Sequence, residues 1–101
     1  KAQRPETVVV TLAGDGAVMV NADDQGHWRP PETHVVDVNG CGDSFFAGFV
    51  TAWTAGCAAA EAMSYGLALA SLTAEWDGPV RPDIDEQLLR ARMDGVRMAA
   101  I

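Results

Sequence analysis

The chain has few cysteines, little positive charge and no long apolar run, and each shortage removes a class of function. Cys41 and Cys57 are its only 2 cysteines, too few for a disulfide framework or a zinc site. Along a helix, the separation between them corresponds to about 24 Å, beyond the reach of a disulfide. A reducing cytoplasm is the compartment this cysteine usage favours. Against 14 acidic residues stand 7 basic ones, leaving a net charge of -7. That average field does not attract nucleic acid or an anionic membrane surface. No apolar run is long enough to span a bilayer, and the polar start from Lys1 to Thr7 does not read as a signal peptide. Two common phosphate motifs are also missing. GxGxxG would need glycine where Phe45 stands, and Gly-Lys-Ser/Thr occurs nowhere. With 101 residues there is room for one domain, its modest core burying roughly two-thirds of the unfolded surface.

What the chain does contain is a break from an apolar extended segment into a helix, across Val36-Asp37-Val38-Asn39-Gly40-Cys41-Gly42-Asp43-Ser44-Phe45. The first turn of a helix has backbone N–H groups without intrahelical acceptors and carries the positive end of the helix dipole. Gly40 and Gly42 keep side chains out of the way, so an anion can reach that backbone. Asp43 would be repelled by a bare phosphate, and it gains a purpose there by acting on something else, most simply an alcohol proton. Phosphoryl transfer to a hydroxyl combines those parts. The plainer alternative is that Asp43 favours a helix start and the glycines make a turn.

Around this junction the pattern is α/β. Val8 to Leu12 is a valine-rich apolar run that suits a strand buried on both faces. Gly14 to Gly16 is a turn, 17–20 a second strand, and 21–26 a loop by its turn chemistry. Asp23 and Asp24 lack calcium-loop spacing and read as a solvated turn. Trp28 to Pro31 is expected to be extended, and 33–36 to be a strand. Phe45, Phe46, Phe49, Val50 and Trp53 then recur at helical intervals as a core stripe, with Gly56 closing the helix. Residues 58–74 are apolar almost all round, broken by Glu61, Ser64, Ser71 and Thr73, so this helix should be buried in a larger body. Asp83 to Glu86 resembles a capping box opening a third helix, with Ile84, Leu88, Leu89 and Met93 facing inward. Pro79 and Pro82 keep the preceding link extended. The expectation is a sheet of strands 8–12, 17–20 and 33–36, covered by helices starting near residues 42, 58 and 84.

Over Asp37 to Gly48 the chain resembles the C-terminal signature of the ribokinase-like sugar kinases, the PfkB family, written DTTGAGDxFxxG. It departs from that signature at Val38, Asn39 and Cys41, small enough to keep the turn. Thr7 to Ala17 is similar to the family's VTLGxxG segment: Thr11 and Gly16 match, Ala13 replaces the first glycine, and Gly14 follows. Asp37 to Gly40, Phe45 to Phe49 and Pro79 to Asp83 look most similar to pseudouridine and related nucleoside kinases.

The resemblance implies the C-terminal part of a ribokinase-like three-layer α/β/α fold. Residues 1–101 would be the nucleotide-binding and catalytic segment of a longer kinase, and Lys1 in place of an initiator methionine agrees with a fragment or processed chain. The family's sugar contacts, small lid and Asn-x-x-Glu motif lie before this region, so the isolated chain is expected to be inactive. The implied partners are a small-molecule sugar or nucleoside and either the N-terminal kinase portion or a second copy.

By the same resemblance, Asp43 would take the proton of a substrate hydroxyl attacking the γ-phosphorus of ATP. The N–H groups of Gly40, Cys41, Gly42 and Asp43 would form the anion hole. Mg2+ would travel with ATP, held by phosphates and water. Thr11, Gly14, Gly16 and Leu67 would line the nucleotide site. Leu67 stands where the family often has asparagine or histidine, so adenine would be held by packing. Asp37 and the carbonyl of Asn39 match a monovalent cation site, K+, of many members; Asp37 also reads simply as a turn-forming aspartate. Cys41 as a nucleophile lacks a base placed by the sequence, since His27 and His34 lie in the irregular stretch before it. A reading of another class is a catalytically incompetent nucleotide-binding module or kinase fragment. Ala13 and Leu67 favour it; Asp43 and both glycines favour catalysis.

Overall fold

A computed structural model describes residues 7–21, 25–76 and 83–100. Its strands β1 (Thr7–Thr11), β2 (Ala17–Asn21), β3 (Gln25–Arg29) and β4 (Arg97–Ala99) form an antiparallel sheet in that order. Its helices are α1 (Cys41–Thr54), α2 (Ala59–Ala74) and α3 (Glu86–Met93). The expected α/β class holds, with the helix starts within two residues of expectation. The Asp23–Asp24 turn and the link carrying Pro79 and Pro82 lie outside the described residues.

Strand register puts Val9 opposite Met19 and Ala17 opposite Trp28, so these side chains share one face of the sheet. That face packs with Phe45, Phe49 and Ala52 of α1 and with Ala62, Met63 and Leu67 of α2. The other face leaves Val8, Val10 and Val20 exposed. The valine run of β1, expected to be buried on both sides, is therefore covered on one side among the described residues. The core stripe of α1 is corrected in the same way. Phe45 and Phe49 are buried, whereas Phe46, Val50 and Trp53 are exposed.

Residues 33–36 are not a strand. The amides of Val36 and Asp37 both donate to the carbonyl of Ala74, at 2.7 and 3.0 Å, so this extended segment finds its partner at the end of α2 instead of on a sheet edge. β3 falls partly in the expected loop. Gly26 belongs to it because a Cβ there would stand 2.6 Å from Met98 Cε and 2.9 Å from the Trp28 ring.

α1 and α2 cross at a pair of glycines. A Cβ on Gly48 would sit 3.1 Å from the Cα of Gly66, and one on Gly66 would sit 2.7 Å from the Phe45 carbonyl oxygen. α1 ends where Gly56, at φ +95°, donates to Trp53 and Cys57 donates to Ala52, the paired bonds of a Schellman stop. The polar residues within apolar α2 bond both to their own helix and to its neighbours, Thr73 to Ser44 of α1 at 2.9 Å and Glu61 to Arg90 of α3 at 3.3 Å. Ser71 donates to the Ala68 carbonyl at 2.8 Å and Thr73 to that of Leu69 at 3.0 Å. α3 is capped by Asp85, whose carboxylate accepts from the Leu88 amide at 2.8 Å. Asp83, the first residue of the expected capping box, lies two residues too early for that bond.

Candidate active site

The turn before α1 is built on Gly40, whose φ of +81° is left-handed backbone that glycine adopts at no steric cost. Its carbonyl accepts the Ser44 amide at 2.9 Å, starting the helix without a side-chain cap. The Cys41 amide turns back to the Val38 carbonyl at 3.2 Å. Among the described residues, the amides of Gly42 and Asp43 have no backbone acceptor. Nor would a Cβ at Gly40 or Gly42 meet any atom within 4 Å. Unclaimed donors at the positive end of a fourteen-residue helix, with open space over them, suit an anion.

The carboxylates of this turn have different surroundings. Asp37 accepts the Asn39 amide on Oδ1 at 2.9 Å, which closes the approach to the turn. Asp43 is exposed on the first turn of α1. Between them, the Cys41 thiol lies 3.9 Å from the Asp37 carbonyl oxygen. Burial pushes that thiol up from its ordinary value, and the Asp37 charge adds to the shift. A raised thiol is a poor nucleophile at neutral pH.

A cavity of about 560 Å³ opens beside the turn. It brings together Thr11, Gly14 and Gly16 of the β1–β2 turn, Leu67 of α2, and Cys41 and Gly42 of α1. Gly40, Asp43, Asp37 and Asn39 belong to the same turn but not to the cavity wall. With Ala13, Val38 and Phe45 also on it, the wall is completed by Ser71, Ala70 and Ala74 of α2 and by Pro30, Pro31, Thr33 and Val35 of the long connection. Sequence reasoning missed these. Ser71 had a signal, as a polar break in an apolar helix; the prolines and valine had none, because only the fold of the connection brings them here.

The glycine-rich β1–β2 turn needs a separate account. Gly16 has φ +96°, and a Cβ there would be 2.0 Å from the Trp28 carbonyl oxygen, so the sheet itself requires glycine. Ala13 adopts φ +53°, a left-handed conformation that costs an L-residue about 1 kcal/mol. His27 on β3 steadies the turn, its Nε2 lying 2.6 Å from the Asp15 carbonyl oxygen.

The donors this region could offer a cation are few. Among the described residues, no three His, Cys, Asp or Glu side chains come together. For a monovalent ion the available oxygens are the second carboxylate oxygen of Asp37 and nearby carbonyls, a hard-oxygen set suited to such an ion. A divalent ion would depend on oxygens that a nucleotide brings. Among the described residues, no helix is long and apolar enough to cross a membrane.

Comparison with known proteins gives a consistent result. A family model described as the pfkB family carbohydrate kinase matches residues 1–86. The chain is 40% identical over 74 residues to fructoselysine 6-kinase of Shigella flexneri, covering 71% of this chain and 28% of that protein. It is 27% identical over 78 residues to pseudouridine kinase of Escherichia coli, covering 76% and 25%. Among solved structures, it resembles the nucleoside kinase of Methanocaldococcus jannaschii with a TM-score of 0.77 at 25% identity, covering 88% of this chain and 30% of that one. The ribokinase of Arabidopsis thaliana, solved with ribose and ATP, gives 0.76 at 26% identity, covering 87% and 29%. The chain thus spans less than a third of the length of these proteins.

Proposed function

The chain belongs to the pfkB family of carbohydrate kinases, and on that premise we propose that it is the nucleotide-binding and catalytic segment of a longer kinase. That parent transfers the γ-phosphoryl group of ATP to a hydroxyl of a sugar or nucleoside. The observation that carries this reading is the open first turn of α1. Its amides and the cavity beneath the β1–β2 turn share Cys41 and Gly42 as a common wall.

In this mechanism the cavity holds the nucleoside of ATP and points its phosphates at the turn. The walls from Leu67, Ala70, Pro30 and Pro31 offer packing to a base. The amides of Gly42 and Asp43, joined by those of Gly40 and Cys41, face the phosphoryl group as charge builds on its oxygens. The Cys41 amide contributes by leaving or sharing its bond to Val38. Asp43 accepts the proton of the attacking hydroxyl. A carboxylate is a weak base, which suffices because the loose transition state depends more on positioning and charge stabilisation than on early proton removal. Mg2+ would come with ATP and would supply neutralisation of phosphate charge, held by phosphate oxygens and water; Asp37 and the Asn39 carbonyl would hold a monovalent ion such as K+ beside the turn.

The test is turnover of the parent with Mg-ATP and a panel of sugars and nucleosides. Asp43→Asn should lower kcat by about a hundredfold or more while ATP affinity stays close to unchanged. Retention of more than about a tenth of wild-type turnover would return Asp43 to the role of a helix-start residue. Leu67 and Ala13 favour a second reading, a nucleotide-binding module without catalysis. Saturable ATP binding with no transfer to any acceptor would decide for it.

A further inference from the structure

We propose that Glu75 and Arg92 are positioning residues for the anion-binding turn, acting through the strap of residues 34–37 that leads into it. The proposal rests on the phosphoryl-transfer reading of Gly40 to Asp43 given above.

The strap hangs from the end of α2. Its His34 amide donates to Glu75 Oε2 at 2.9 Å, and its Val36 and Asp37 amides donate to the Ala74 carbonyl at 2.7 and 3.0 Å. Two consecutive residues of one helix end thus hold three of the strap's backbone donors. Glu75 divides its two oxygens: Oε2 takes the strap, and Oε1 pairs with Arg92 Nη2. Arg92 also reaches Ser71 Oγ at 3.4 Å with its other terminal nitrogen. The Arg92 side chain is only 23% exposed and that of Glu75 only 15%, so the pair is less screened than one on an open surface.

The consequence passes along the chain to the turn. Asp37, the last strap residue, closes the Asn39 amide with its carboxylate, and its carbonyl faces the Cys41 thiol. Asn39 and Cys41 flank Gly40. Removing Arg92 takes away the Oε1 anchor of the Glu75 carboxylate and so weakens its hold on the His34 amide. The guanidinium both fixes the orientation of the carboxylate and offsets its negative charge. Neither residue touches the cavity in the role proposed; both act through the strap.

The experiment uses the full-length kinase and reads two quantities, the turnover number kcat and amide hydrogen exchange at residues 34–37. Arg92→Met should speed exchange across the strap and lower kcat about tenfold or more, as expected when reacting groups are misplaced by a fraction of an ångström. Glu75→Gln has one acceptor oxygen for two donors and must release either the His34 amide or Arg92, so strap exchange should quicken and turnover fall, by less than in Arg92→Met; wild-type values in both would overturn the proposal. The informative variant is the swap, Glu75→Arg with Arg92→Glu. It restores an ion pair between α2 and α3 but offers the His34 amide no acceptor, so strap exchange should stay fast and turnover low. Return of both to wild-type values would overturn the proposal, leaving the pair as a staple between helices. Unchanged strap exchange in Arg92→Met would do the same. Should Arg92→Met not fold, Glu75→Ala takes its place with the same expected and overturning results. Asp43→Asn is assayed alongside: full turnover in that variant sinks the phosphoryl reading, while the exchange data still decide whether the pair orders the strap.

Discussion

At the start of α1, Gly40 and Gly42 have no atom within 4 Å of where a Cβ would stand, whereas further along, Gly48 and its partner Gly66 would each press a Cβ onto backbone of the other helix. All are glycines close to one motif, yet the space around them differs completely. Where packing leaves no room, glycine is required by the fold. Where there is room and the residue is still glycine, the fold does not explain it, except for the left-handed backbone of Gly40. Gly42 is helical and open, so packing does not require its lack of a side chain, and the proposed anion at this turn accounts for it.

Substitution by valine at both kinds of site should break this comparison if it is wrong. Gly66→Val carries the largest expected effect. A Cβ 2.7 Å from the Phe45 carbonyl oxygen meets main chain that cannot rotate away, so the helices must part, at a cost of about 3 kcal/mol. Denaturant unfolding of the parent measures it, and a loss below about 1 kcal/mol would mean the crossing adapts freely. Gly42→Val should do the reverse. Stability should stay within about 0.5 kcal/mol, the scale of an open surface change, because nothing is struck. ATP affinity should instead fall about tenfold or more, since a branched side chain covers the donors of the turn. Wild-type ATP affinity in Gly42→Val would remove phosphate from that turn.

The same contrast explains what could be read from sequence. α1, α2 and α3 were legible because apolar spacing reports a helix whatever lies around it, and the turn that opens α1 was legible because Gly40, Gly42 and Asp43 form a local pattern. Residues 33–36 misled because Val35 and Val36 look like strand, while the acceptor for that backbone, the Ala74 carbonyl, lies some forty residues away. β3 escaped notice because Gly26 and His27 interrupt any alternation, and the reason for Gly26, the overlying Met98 and Trp28 side chains, is tertiary. The outer half of the α1 stripe, Phe46, Val50 and Trp53, was read as core because periodicity shows that a face is apolar and cannot show what covers it.

Ala13 tests the comparison at a smaller scale, since it is an ordinary residue in a conformation that suits glycine. Its φ of +53° makes the β1–β2 turn carry strain. Ala13→Gly removes the Cβ conflict but adds freedom to the unfolded chain, and the two effects oppose one another. The steric term is the larger, so a net gain of about 0.5 kcal/mol in unfolding free energy is expected. A net loss would show that the turn holds residue 13 by packing and not in spite of it.

Cys41 carries the smallest effect and sorts the first residue of α1 between the two regions. It lines the cavity, but its amide is turned to Val38 and its thiol to Asp37, so it belongs with the packed set. Burial, and then the Asp37 charge, raise its thiol above the ordinary value of 9.0. Below that value the thiol is protonated in both folded and unfolded chains, and the group has no pH-dependent effect. As pH rises past it, the unfolded chain releases the proton first, which favours unfolding; the loss continues until the raised folded value is passed. Cys41→Ala should therefore match the wild-type pH dependence of stability below about pH 8, and decline less steeply above the ordinary thiol range. Its turnover should be close to wild type, because the amide of residue 41 is kept and the thiol is given no chemical step. A large loss of turnover in Cys41→Ala would move this residue from the packing of the turn to its chemistry.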